Sequence, residues 1–189
     1  LLWLYGRGSN GKSTLIRILS HVFGTYASNA AITSFLRGDY DQGADRPTPS
    51  LVRMWGRRLI FASEANPGVR WDVAKLKALT GRDRIVARQL HQQEFEFESV
   101  AKFCFAMNTE PDRIEDPSDG FWKRLRPLEL TRSFPDDPKF EPRILAEAHG
   151  ILTWLIQGFQ LQRIQGLGTT SNLTEAVENL RYQNNPIAE

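Results

Sequence analysis

The segment Gly6-Arg7-Gly8-Ser9-Asn10-Gly11-Lys12-Ser13 constrains this chain more than any other. It follows Leu1-Leu2-Trp3-Leu4-Tyr5, an apolar run that predicts a buried parallel strand. It precedes Leu15, Ile18, Leu19, Val22 and Phe23, which recur at helical spacing up to a stop at Gly24. Between a strand and a helix, the spacing G-x-x-x-x-G-K-S lets backbone N–H groups wrap a phosphate. The helix then aims its positive end at the anion. That context sets aside a chance glycine-rich turn. Gly6, Arg7, Gly8, Ser9, Asn10, Gly11, Lys12, Ser13 and Thr14 are therefore expected to hold ATP. Lys12 would reach the outer phosphates and Ser13 would hold Mg2+.

The chain has 189 residues, 41% apolar and 24% charged, enough for one packed domain with or without a short appendage. A net charge of +2 neither requires nor excludes nucleic acid. The single cysteine, Cys104, excludes an intrachain disulfide and a cysteine-based metal cluster, and fits a reducing compartment such as a host cytoplasm. No apolar run reaches the length of a membrane span. The abrupt opening on a strand, without methionine, reads as a fragment of a longer chain.

Leu59-Ile60-Phe61-Ala62-Ser63-Glu64 and Lys102-Phe103-Cys104-Phe105-Ala106-Met107-Asn108 predict two further core strands. Residues 37–50 read as a surface loop, 71–80 as a helix and 85–90 as a strand. Glu94-Phe95-Glu96-Phe97-Glu98 alternates as a half-buried strand does, with His91-Gln92-Gln93 as a hairpin tip. From about residue 139 the pattern is helical. Strands alternating with helices imply a parallel sheet with helices on its faces, and ligands then bind beyond the carboxyl ends of the strands.

Three further features bear chemistry. Glu64, ending the second strand, can hold the metal or polarise an attacking water. With Ser63 before it, this one carboxylate would serve both jobs. Asn108, ending the third, can orient that water. The cluster Lys123, Arg124 and Arg126 offers either an arginine for a neighbouring subunit's ATP or a surface cluster snorkelling over Trp122.

Together, the phosphate loop, Arg58 to Glu64, Leu76 to Asp83 with Ala87-Arg88, Met107 to Pro111, Asp119 to Leu125 and Glu147 to Trp154 resemble the superfamily 3 helicases. The branch resembled is the phage, plasmid and poxvirus primase–helicases. The resemblance implies an α/β P-loop NTPase of AAA+ type: a central parallel sheet flanked by helices, a channel β-hairpin and a C-terminal helical part. The ATPase core would span 1–134 and the helical subdomain 135–189. It implies a homo-oligomeric, hexameric ring that moves on single-stranded DNA, with a primase module expected upstream. By position, Glu64 matches the Walker B acid, Asn108 the sensor and Arg124 the arginine finger. Residues 75–91 match the segment that leads into the channel hairpin. Two positions depart: Arg82 stands where the family has a second glycine, and Lys123-Arg124 replaces an arginine pair.

Lys77, Arg82, Arg84, Arg88 and His91 would track DNA phosphates around a ring axis, with Lys77, Arg88 and His91 as expected contacts. His91 reads equally as a solvated turn residue. A nucleotide-gated DNA-binding assembly or loading ATPase that does not unwind remains open as an alternative. A small-molecule kinase lacks support, because the later motifs would then be coincidence.

Overall fold

Alternation along the short apolar strands decides how the sheet is covered. The computed structural model describes residues 1–37, 47–63, 69–116 and 118–184. Strands β1 (Leu2–Tyr5), β2 (Ala27–Asn29), β3 (Leu59–Ser63), β6 (Lys102–Ala106) and β7 (Arg126–Glu129) form one sheet in the order β2-β3-β6-β1-β7. Every pairing in it is parallel. Trp3, Ile60, Ala62, Phe103 and Phe105 turn to one face and join the larger core. Leu4, Phe61 and Cys104 turn to the other, where Ile16 and Leu19 of α1 (Lys12–Phe23) cover them. This period-two division places helices on both faces of the sheet, as the sequence predicts.

The larger core is built around aromatic rings. Trp3 meets Trp71 edge-on at 4.6 Å, and Phe35 lies 4.8 Å from Phe105. Helix α3 (Val73–Thr80) adds Val73, Leu76 and Leu79, and the Asp72 carboxylate caps it by accepting from the Lys75 N–H at 3.0 Å. Cys104 is enclosed between the central strands. Burial pushes its thiol up to about 11, so it packs as an apolar side chain rather than acting as a nucleophile.

Strands β4 (Arg84–Arg88) and β5 (Glu94–Glu98) pair antiparallel into a separate hairpin. Ile85, Ala87 and Phe97 are buried on its inner side. The short helix α2 (Pro49–Met54) supports it: the Arg88 N–H donates to Thr48 Oγ1 at 3.0 Å, and Trp55 packs on Phe95 at 5.2 Å. The expected loop at 37–50 is thus helical at its end, where Pro49 supplies a preset first turn. The acidic, glycine-containing part at 38–46 lies outside the described residues.

Helix α4 (Asp119–Trp122) is a short turn before β7, and helices α5 (Phe140–Ala146), α6 (Ala148–Gln165) and α7 (Ser171–Asn184) follow it. Leu180 of α7 enters the larger core, and the Asn184 amide bridges the Ile114 N–H and the Pro111 carbonyl. Trp154, Phe159 and Ile164 of α6 remain exposed. No helix among the described residues is long and apolar enough to cross a membrane.

Candidate functional site

The loop between β1 and α1 turns where its residues allow. Gly6 has φ +137°, and a Cβ there would stand 2.4 Å from the Leu130 carbonyl oxygen. Only glycine permits that approach. Ser9 and Gly11 have positive φ, +60° and +84°, on either side of Asn10, which does not. Alternation of this kind is the backbone pattern from which anion-binding nests are built, and here it lies at the start of α1.

Lys12 is the central charge. Its ammonium donates to the carbonyls of Gly6 at 2.6 Å and Arg7 at 3.2 Å and to Asn10 Oδ1 at 2.9 Å. It is buried, and desolvation lowers its pKa. Among the described residues no carboxylate pairs with it. A buried ammonium balanced by dipoles alone attracts an anion strongly. The nest and the lysine therefore fit a polyphosphate.

The Asn10 side chain does more than the motif announces. Its amide donates to the Leu130 carbonyl at 3.0 Å while its oxygen accepts from Lys12. It thus ties the loop to the segment leaving β7, whose Leu130 N–H donates to Tyr5 O at 2.8 Å. The spacing of the motif identifies Asn10 only as a loop residue; its burial, at 7% exposure, is the structural sign of the second role. Ser13 and Thr14 follow in the first turn of α1, with Ser13 exposed.

Asn108 lies just past β6, between β1 and β3 in the sheet, and is exposed at the same edge as the loop. Strand β3 ends beside it, with Ser63 opposite Ala106. Glu64 itself lies outside the described residues. Among the described residues no group of three His, Cys, Asp or Glu could hold a metal unaided. Mg2+ that shares its coordination with phosphates and water needs no such group, and the Ser13 hydroxyl is an oxygen donor of the right kind.

Arg124 sits elsewhere. The Leu1 ammonium donates to its carbonyl at 3.0 Å, and Arg126 pairs with Leu2 at the start of β1. Arg124 is therefore at the sheet edge opposite the loop of Gly6 to Ser13. Its guanidinium is half-buried and donates to the Lys77 carbonyl at 3.0 Å. Trp122, two residues earlier, is buried and donates to Asp116 O at 2.9 Å.

The expected DNA contacts fall in different settings. His91 is exposed at the hairpin turn with φ +61°. Arg88 is half-buried and pairs in register with Glu94. The outer face of the hairpin sets Arg84 and Arg88 against Glu94, Glu96 and Glu98, and Arg84 reaches Glu96 at 3.0 Å.

Lys77 is engaged inside the chain. Its ammonium lies 2.7 Å from Asp116 Oδ2 and 2.7 Å from Ser118 Oγ. Burial pushes the Asp116 carboxyl up, but hydrogen bonds from Lys77 and Ser118 outweigh that and hold it below its ordinary value. Lys77→Ala is expected to destabilise the fold by about 2 kcal/mol, because it strands a buried carboxylate. The cost stays modest because Lys77 is itself partly solvated. With a folded pKa below 3.8, the Asp116 contribution is present above that value and disappears as pH falls through the lower folded one. Thermal melting of Lys77→Ala against the parent checks this. An unchanged melting temperature with weakened DNA binding would instead make Lys77 a DNA contact.

Comparison with known proteins follows the same core. The profile described as "Family of unknown function (DUF5906)" matches residues 4–124. The chain is similar to the "Putative primase C962R" of African swine fever virus, 32% identical over 157 residues, which cover 78% of this chain and 16% of that protein. It is similar to the "Putative helicase L207/L206" of Acanthamoeba polyphaga mimivirus, 28% identical over 131 residues, covering 69% of this chain and 13% of that protein. It is also 28% identical over 138 residues to the "Putative helicase 022R" of Frog virus 3, covering 71% of this chain and 14% of that protein. The chain thus spans under a fifth of the length of these viral relatives. Among solved structures, the apo form of the NrS-1 C-terminal region shares its fold, with a TM-score of 0.64 at 19% identity, over 95% of this chain and 42% of that one. The family match runs from β1 through Arg124, and the chain belongs to the DUF5906 family.

Proposed function

We propose that this chain is the ATPase module of a replicative primase–helicase of the superfamily 3, AAA+ type. It would hydrolyse ATP at the subunit interfaces of a hexameric ring that moves on single-stranded DNA. The observation that carries the reading is the buried Lys12, paired with no carboxylate among the described residues, in a loop with positive φ at Ser9 and Gly11, with Asn108 at the same sheet edge. The names of the viral relatives, primase and helicase, support the replicative setting.

In this reading the loop N–H groups and Lys12 bind the phosphates. Ser13 and Glu64 would hold Mg2+, which would supply neutralisation of the charge that develops on the phosphates. Glu64 polarises the attacking water and Asn108 orients it. Arg124 is aimed at the next subunit's ATP, since it lies at the edge opposite its own loop. The apolar residues left exposed on α6 support an assembly, as does the solvated hairpin tip at His91 for a channel.

One observation favours the loading-type ATPase as a second reading: the outer hairpin face carries three glutamates against two arginines, a weak match to a phosphate track. Turnover of ATP with Mg2+, with and without single-stranded DNA, tests both, alongside mass in solution and unwinding of a forked duplex. The motor reading expects a ring-sized particle, DNA-stimulated hydrolysis and unwinding. Stimulated hydrolysis without unwinding selects the second reading, and no hydrolysis in any assembly state rejects both.

A further inference from the structure

A cavity of about 770 Å³ opens beside the phosphate loop, between Ser9, Gly11 and Thr14 on one side and the segment 134–141 on the other. Its size lies within the range of small-molecule sites. The wall is largely apolar, and its apolar groups are uncovered: Phe134 is 60% exposed, Phe140 45% and Leu15 38%. The segment carrying Phe134 has no regular structure, yet it is pinned in place. The Phe134 N–H donates to the Ser9 carbonyl at 2.8 Å, and Arg17 of α1 meets Glu141 at 2.7 Å across the cavity. Asp136 lines the same space and makes no ion pair among the described residues.

These features describe one kind of occupant. The cavity adjoins Ser9, Gly11 and Thr14, so a molecule whose phosphates sit in the loop has room here for its remainder. An aromatic ring held by its own backbone presents a flat face to a planar heterocycle, and a lone carboxylate suits vicinal hydroxyls. We propose that the cavity seats the nucleoside of the bound nucleotide, with Phe134 stacked on the base and Asp136 accepting hydrogen bonds from the ribose hydroxyls. The inference rests on reading Gly6 to Ser13 as the phosphate loop. It adds a base-binding residue more than a hundred positions away in sequence. Stacking uses the π face common to all bases, so Phe134 contributes affinity rather than choice of base.

Calorimetric binding of ATP and of inorganic tripolyphosphate, each with Mg2+, separates the two ideas in the parent, Phe134→Ala and Phe134→Tyr. Phe134 is on the surface, and the tyrosine variant keeps the ring, so loss of fold is distinguishable from loss of stacking. The expected result is that Phe134→Ala weakens ATP about tenfold and leaves tripolyphosphate unchanged, while Phe134→Tyr binds both as the parent does. Equal losses for both ligands, or unchanged ATP affinity in Phe134→Ala, would overturn the proposal while sparing the phosphate loop. A parent that binds neither ligand would instead remove the phosphate-loop reading, and this proposal with it.

Discussion

Lys12→Ala is expected to weaken ATP binding by about a hundredfold or more and to abolish turnover, without unfolding the protein. The ammonium already gives its hydrogens to two carbonyls and the Asn10 amide oxygen, so it is positioned at the loop before any ligand arrives. Charge-assisted hydrogen bonds to phosphate in a desolvated site carry enough energy for such a loss. The stability side runs differently. Burial disfavours the charged form of Lys12, so its removal relieves a penalty while leaving three acceptors short of a donor. These terms oppose each other, and the melting temperature of the ligand-free protein should shift little in Lys12→Ala or Lys12→Met. The lowered pKa also sets a sign for pH: ATP affinity should begin to fall below the 10.5 of an ordinary lysine as pH rises. Isothermal titration and thermal melting on the same samples check both halves. Parent-like ATP affinity in Lys12→Ala would end the site assignment.

Arg124→Ala is expected to lower the rate of the assembled protein about a thousandfold while leaving ATP affinity within a few-fold of the parent. The reason is placement. Arg124 lies at the edge where β1 and β7 begin, and the phosphate loop lies where β1 ends, so one subunit cannot bring the two together. A structural role would cost about one hydrogen bond, the contact to Lys77 O, and would show in melting rather than in rate. Mixing gives a sharper readout. Lys12→Ala subunits mixed with Arg124→Ala subunits should regain part of the lost activity, because some interfaces then combine an intact loop with an intact arginine. Mixtures as inactive as either variant alone, or Arg124→Ala with parent turnover, would sink the assignment.

The elements legible in the sequence are those with strong local signals. Leu2 to Tyr5, Leu59 to Ser63 and Lys102 to Ala106 are short apolar runs ended by polar residues or glycine, and all three are core strands. The alternation of Glu94 to Glu98 gives the hairpin, because a period of two suits only a strand with one wet face. Strands β2 and β7 carry no such signal. Ala27-Ser28-Asn29 has little strand preference and pairs only because β3 offers it an open edge. Arg126-Pro127-Leu128-Glu129 contains a proline, which costs nothing on a strand that pairs with β1 alone. The stripe Leu173, Ala176, Val177 and Leu180 marks α7 as a helix with one apolar side, but which of these residues is buried depends on the path of α7 back to the core, where Leu180 enters and Val177 packs against it.

By itself, the sequence determined the phosphate loop. Its glycines, Lys12 and the flanking strand and helix act over a few residues, so local chemistry suffices for the loop in which the polyphosphate is proposed to sit. The tertiary structure alone decided what surrounds it. Asn10 meets Leu130, Phe134 meets Ser9, Lys77 meets Asp116, and Arg124 stands at the far edge, each through contacts between segments distant along the chain. Such contacts follow from the order of strands in the sheet, which no local pattern encodes.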